Sequence, residues 1–447
     1  MMERVKTVLL CLLVANSLFL TWQLWYSPPH YDVAGSVYTE VPSIGEESSL
    51  QAILQPVQVL AHLGEDRHRQ LLPFSTTYQN VLTTYADWNI YDLQAVPYDQ
   101  QPWEQMRREW IGVELRYPDR MRADWLETKW FSPTVLQTRL PEFERVWFVL
   151  RENEVEAYFI NDTQRQVTRG MVAMAPNEFS RQAFLLVGMP PMRYVEVPIF
   201  DEDRVIRPGW VGQRGLYLPV NDVEASRYLF TSRVLSDREL IQILFTEPEM
   251  VREMAGRDGS VLYTDGNRSL QMYPEDNRLV YYVPASAPSP TLRSTRNHPP
   301  LHAVQFVNQH GGWEGPYLLR QVAQNGNGLE VSFQPYHQSY PVWDGDGEWS
   351  GIRLQMELNG GITLFERPVQ LLGDPFLEEA VRLPGGDELE RQLLSHPSYR
   401  SGITDLFVAY RRIPGEFVRL VPEWVVKETS GRWVPLTGEG GERDGLE

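Results

Sequence analysis

Cysteine is all but absent. The one cysteine, Cys11, sits inside a long apolar run, so the remaining chain can form no disulfide and do no thiol chemistry. Small secreted scaffolds that need covalent staples are excluded, and the body must stand on its own hydrophobic cores. Lysine is nearly as scarce, occurring at Lys6, Lys129 and Lys427 only, which leaves arginine to carry most positive charge. Positive charge is itself in deficit: 41 Lys and Arg face 59 Asp and Glu, a formal charge of −18. Residues 1–6 hold Glu3, Arg4 and Lys6, so the rest of the chain stands one unit lower, at −19. A surface of that sign is repelled by nucleic acid phosphates and by anionic lipid or wall polymer, so no nucleic acid partner is expected. Catalytic signatures are missing too. There is no G-x-S-x-G elbow, no H-E-x-x-H and no G-x-x-x-x-G-K.

The chain does have one long hydrophobic run. Residues 7–25 are nineteen positions without a charge, enough as a helix to span about 29 Å, close to the hydrocarbon thickness of a bilayer. Arg4 and Lys6 precede it and no Arg or Lys follows until Arg67, which keeps the N-terminus cytoplasmic and the body outside. Trp22, Trp25 and Tyr26 suit the far headgroup level, and Pro28-Pro29 ends the helix. The fair cleavage candidate, Ala15-Asn16-Ser17, lies mid-run, so an uncleaved single-pass anchor is expected rather than a signal peptide. Asn16 and Gln23 are seven apart and share a face with Leu9, Leu13 and Leu20. An amide in hydrocarbon is costly unless another polar group meets it, so this face is the candidate helix–helix contact.

Apolar residues at 42% and charged ones at 22% describe globular material, and 447 residues exceed one domain. The expected class is α+β: a transmembrane helix, then three extracytoplasmic mixed domains, the second and third sharing a layout of helices and antiparallel strands. The expected boundaries are 1–6 (cytoplasmic tail), 7–26 (transmembrane helix), 27–36 (linker), 37–190, 191–300 and 301–437 (domains), and 438–447 (disordered tail). "FSTTYQNVLTTYADW" predicts a helix capped by Ser75, with Tyr78, Val81, Leu82 and Tyr85 on one face; "QPWEQMRREW" repeats the theme. "WIGVELRYP", "RVWFVLREN" and "VEAYFIND" read as strands. "SDRELIQILF" carries a capping box from Ser236 to Glu239, and "DELERQLLSHP" predicts another from Asp387 to Glu390. "TDGN" and the stretch around Asn359-Gly360-Gly361 predict hairpin turns, and "TDLFVAYRRI" with "FVRLVPEWVV" a final strand pair. "ASAPSPTLRSTRNHPP" reads as a joint.

Candidate chemistry is thin. His298 and His302 are four apart, but Pro299 and Pro300 argue against a helix there; a polar loop is expected, with a metal site including His310 the lesser reading. Asp344, Asp346 and Glu348 fit a calcium loop poorly, since Trp349 stands where its glycine belongs. Glu152, Glu154 and Glu156, like Asp201, Glu202 and Asp203, read as solvated acidic faces. No catalytic residue, metal or cofactor is expected, and a wall hydrolase using scattered carboxylates is the weakest reading.

Taken together, "RVKTVLLCLLVANSLFLTWQLW", "LFTEPEMVREMAGRDGSVLYTDGNRSLQMY", "NRLVYYVP" and "FVRLVPEWVV" resemble the YycH family, in order and across nearly the whole length. The resemblance implies a membrane-tethered, non-catalytic regulator of a sensor histidine kinase of the YycG/WalK type. It further implies contacts with a YycI-like partner, control through transmembrane helices, and a role in cell-wall metabolism. No catalytic residues are carried over. The alternative is a tethered extracytoplasmic module that binds a wall fragment or peptide.

Overall fold

The structure is a computed structural model. It describes residues 43–437 except 127–129, 131–139, 197–198, 202–203, 207–214, 257–258, 275, 285–297, 327, 346–350 and 359–360, and in addition Lys6, Val14, Asn16 and Ser17. The chain divides into two units, Met1–Val41 and Pro42–Glu447. In the first, the four described residues are helical and exposed. The rest of the expected membrane helix, the linker and the C-terminal tail lie outside the described residues. Among the described residues no helix is long and apolar enough to cross a membrane.

The second unit is sheet-rich, with few helices. Among the described residues its first sheet has nine strands, all paired antiparallel, in the order Leu216–Pro219, Pro191–Val195, His68–Leu71, Gln58–Leu63, Ile111–Met121, Phe143–Arg151, Glu154–Asn161, Gln166–Val172, Ile90–Pro97. The central strands are buried on both faces, because layers cover each side. Val146 and Phe148 point into the main core under the helix Thr76–Ala86, where Tyr85 and Trp88 stack at 4.0 Å. Trp147 and Val149 point the other way, against Trp103 and Met106 of the short helix Trp103–Arg108. This period-2 switch explains why both faces read as apolar. Gly112 is needed beside Trp147: a Cβ there would stand 2.9 Å from the indole Nε1 and 2.9 Å from the Phe148 carbonyl.

Among the described residues, Ile199–Asp201 and Arg204–Ile206 pair with each other as a separate ribbon, and the other strands form one 14-stranded network. A meander of Arg252–Ala255, Val261–Thr264, Ser269–Tyr273 and Arg278–Tyr282 continues through Ile362–Pro368 and Ile352–Glu357 to Gly328–His337. Tyr340–Trp343 then pairs in parallel with Ile403–Ile413, which leads to Phe417–Glu428, Val223–Val234 and the edge strand Gln370–Leu383. In this network the helices Asp237–Leu244, Pro299–Gln309 and Gly386–Ser395 each precede antiparallel strands. Strand pairing crosses residues 190 and 300, since Pro191–Val195 and Leu216–Pro219 complete the first sheet and Val223–Val234 lies between Phe417–Glu428 and Gln370–Leu383.

Local signals translate directly into several elements. Ser75 caps Thr76–Ala86 by accepting from the Tyr78 amide, and the Ser236–Glu239 capping box closes reciprocally. In the 261–273 hairpin, Asp265 Oδ1 accepts from the Asn267 and Arg268 amides while Gly266 takes φ +95°. Two expectations fail. Residues 299–309 are helical despite Pro299 and Pro300, because they fill the first two helical positions, where no intrahelical amide is required; His298 is the cap. The helix Gly386–Ser395 begins behind Gly385 without a side-chain cap, and Asp387 lies in its first turn. A Cβ on Gly385 would fall 2.0 Å from the Asn221 carbonyl oxygen, so close approach decides this start rather than capping.

The difference is measurable. Ser236→Ala should lower stability by about 1 kcal/mol, while Asp387→Ala should cost less than about 0.5 kcal/mol. Urea unfolding of the two variants checks this, and the reverse order would refute the capping assignment.

Candidate functional site

On the outer face of the first sheet lies a buried charged network. Strand register sets it: His62 faces His68 across one pair, while Leu60 and Trp147 flank Glu114. Glu114 is fully buried and accepts from Arg116 Nε at 2.9 Å and from Arg145 Nη1 at 3.0 Å. Arg145 also grips Asp162 with two hydrogen bonds, at 2.7 and 2.8 Å, and the Tyr98 hydroxyl donates to the same carboxylate at 2.7 Å. Burial alone would push the Glu114 carboxyl up, but Arg116 and Arg145 hold it well below the usual carboxylate range.

Two imidazoles extend the network. His62 Nδ1 and His68 Nδ1 are 3.0 Å apart, His68 Nε2 is 3.2 Å from Asp66, and His62 Nε2 is 3.5 Å from Glu114. Three such contacts need three ring protons, and two neutral imidazoles carry two. The 3.5 Å end is the one left without a hydrogen bond. Burial, acting against the Glu114 contact, lowers the His62 pKa; burial and then the His62 charge push His68 down to about 4. Both rings are therefore neutral at pH 7.

Tyr217 packs on this network, its ring 5.1 Å from His68 and 5.0 Å from the Arg116 guanidinium carbon. Its other side belongs to a cavity of about 260 Å³ between the first sheet and the C-terminal strands. Gln58, Gln70 and Met192 contribute from the first sheet, Arg320, Gln334 and Tyr336 from the 317–337 hairpin, and Asp405, Phe407, Trp424 and Trp433 from the end of the chain. The seam is fastened beside it, where Asp119 Oδ2 accepts from the Val322 amide at 2.7 Å and Phe74 meets Tyr336 edge-on at 5.4 Å. Sequence reasoning missed this cavity, because its residues are scattered from 57 to 433.

The residues singled out from sequence fare unevenly. Of the membrane-helix face, Asn16 is helical and exposed, while Leu9, Leu13, Leu20 and Gln23 lie outside the described residues. Lys6 is likewise helical and exposed; Arg4, Trp22, Trp25 and Tyr26 lie outside. His298, His302 and His310 do not converge as a polar loop. His298 caps the helix, His302 is buried and His310 stacks on Phe306 at 3.8 Å, its Nδ1 2.7 Å from that residue's carbonyl. Glu152 and Glu154 are exposed as a solvated face requires, but Glu156 is buried and accepts from the Tyr158 hydroxyl at 2.5 Å. Glu156 shares a strand face with Glu154 but lies further in from the strand's start, where the Tyr158 ring covers it. Asp346, Glu348, Glu202 and Asp203 lie outside the described residues. Among the described residues, no group of three or more His, Cys, Asp or Glu is placed to hold a metal ion.

Comparison with known proteins decides the family. The family descriptions "YycH protein, N-terminal domain" and "YycH protein, C-terminal domain" match residues 3–181 and 213–441. The chain belongs to the YycH family. A curated relative, the two-component system WalR/WalK regulatory protein YycH of Bacillus subtilis (strain 168), is 19% identical over 97% of this chain and 96% of its own length. The crystal structure of YycH from Bacillus subtilis has the same fold, with TM-score 0.67 and 16% identity over 89% of this chain and 100% of that one.

The histidine pair makes this YycH-family chain acid-sensitive in a defined direction. A histidine held below its unfolded pKa of about 6.5 contributes stability that is present above 6.5 and lost as pH falls through the folded value. For His68 that window runs from about 6.5 to about 4, and His298, His302, His310 and His337, also lowered by burial, act in the same sense. Urea midpoints should fall across this window, and His68→Gln should make the fall shallower. A flat or rising profile would contradict the assignment.

Proposed function

We propose that this chain is a non-catalytic regulator of a two-component sensor histidine kinase of the YycG/WalK type. It sits in the cell membrane by one N-terminal helix, N-terminus inside and body outside. It contacts the kinase and a YycI-like partner through both parts and so acts on cell-wall homeostasis. The observation that carries this reading is similarity along nearly the entire length of a relative named as a WalR/WalK regulatory protein. The uncharged run at 7–25 with its central amide supports the membrane part, because such an amide gains most by meeting another helix. Regulation then requires only that the helix pack differently against the kinase's two signalling states.

The test is output with the anchor kept. Asn16→Leu, Gln23→Leu and the double variant should change the level of phosphorylated response regulator by twofold or more, with membrane-bound protein unchanged. Unaltered output in all three would argue against the packing mechanism.

A second reading, an extracytoplasmic module that binds a small ligand, is favoured by the cavity between the sheets. The two are compatible, since a ligand bound at the seam would supply the signal.

A further inference from the structure

The larger sheet ends in the strand Gln370–Leu383, whose one partner strand among the described residues is Val223–Val234. From Gly373 to Ala380 every residue is exposed, on both faces, with Phe376 at 52% and Leu377 at 50%. A long exposed edge offers a row of amide and carbonyl groups to another strand, and natural proteins blunt such edges with proline, bulges and charge. Half of this strand is blunted in that way. Its pairing shifts register between Leu229 and Ser232, opposite 372–377, and Pro375 in that stretch has no N–H. The other half stays regular. Residues 377–383 pair with 223–229 position by position without a shift, and Pro384 closes the run.

That regular half is complementary to itself. A second copy laid antiparallel along the edge is related to the first by a two-fold axis, so one residue faces its own copy. The midpoint of 377–383 is Ala380, an exposed small side chain that can meet itself. With the axis there, Glu378 of each copy faces Arg382 of the other, giving opposite charges twice, and Leu377 faces Leu383. Axes at Glu378 or Glu379 would set like charges face to face, an axis at Val381 would leave Glu378 opposite Pro384, and earlier axes run into the bulge. Both charges are available. Glu378 is exposed and accepts from the Tyr228 hydroxyl at 2.8 Å through one oxygen, while Arg382 is 70% exposed with Glu224 no nearer than 3.9 Å. The net charge of −18 opposes association at long range only, because physiological salt screens charges beyond about 8 Å.

We propose that two copies of this chain associate through this edge, pairing 377–383 antiparallel about Ala380 and joining their larger sheets into one.

The experiment is disulfide trapping of the full chain in its membrane, with Cys11→Ser removing the native thiol. Opposite residues of an antiparallel pair have Cα atoms about 4.5–5.5 Å apart, within disulfide range. Ala380→Cys should therefore give, under mild oxidation, a covalent dimer of twice the chain mass. Phe376→Cys should not, because Phe376 would face Pro384 and lie about 27 Å along the strands from its own copy. Glu378→Arg or Arg382→Glu, each added to Ala380→Cys, should cut the dimer at least fivefold. The two reversals in one chain restore opposite charges across the axis and should return the dimer to within twofold of its original level. No dimer from Ala380→Cys, or equal trapping by Phe376→Cys, would overturn the proposal. So would a conjugate with a protein of another mass, which would make a different partner the occupant of the edge. Charge reversals without effect would overturn the register and with it the argument for a second copy.

Discussion

Glu114 is the constraint around which the first sheet is arranged. It is wholly buried, and its charge is tolerated because Arg116 and Arg145 donate to it from the same sheet face. Arg145 in turn needs Asp162, and Asp162 takes the Tyr98 hydroxyl, so four segments are tied to one carboxylate. Breaking such a pair on one side typically costs about 3–5 kcal/mol, because a charge is left unpaired in low dielectric. Register follows from it: a one-residue slip of the strand Ile111–Met121 would turn Glu114 into the hydrophobic layer under Tyr85 and Phe148. In a body without cysteine, this polar clamp and the continuous apolar core beside it do the holding.

The cavity lies beside this network. Within the network Arg116 and Arg145 find carboxylates; at the seam Arg320 has an indole face and one amide oxygen. Tyr217 forms the wall between the two. An occupant of the cavity would touch both the first sheet and the C-terminal strands, and so would strengthen the seam between them. Binding there would act as an input for a regulator, because it changes the stability of an arrangement of sheets.

How much of this was legible beforehand depended on sequence distance. Ser75, the Ser236–Glu239 box and Asp265-Gly266 act over three or four residues, and each did what its spacing implies. Pro299 and Pro300 misled because proline is read as a breaker, although at the first turn it is an initiator. Gly385 holds its place through a carbonyl at Asn221, and nothing near it in sequence announces that contact. The charged network brings together residues from 62 to 162, and the cavity residues from 57 to 433. Each is an unremarkable Gln, Arg or Tyr until pairing of distant strands places it.

The central functional claim is that control of the kinase passes through the anchoring helix as well as the body it carries. The most direct measurement replaces residues 7–26 with an unrelated single-pass helix of equal length and reads response-regulator phosphorylation at matched membrane levels. Loss of most of the regulatory effect, with the body's unfolding midpoint unchanged, is the predicted result. Full regulation by the exchanged chain would contradict the account and leave the helix as a tether alone.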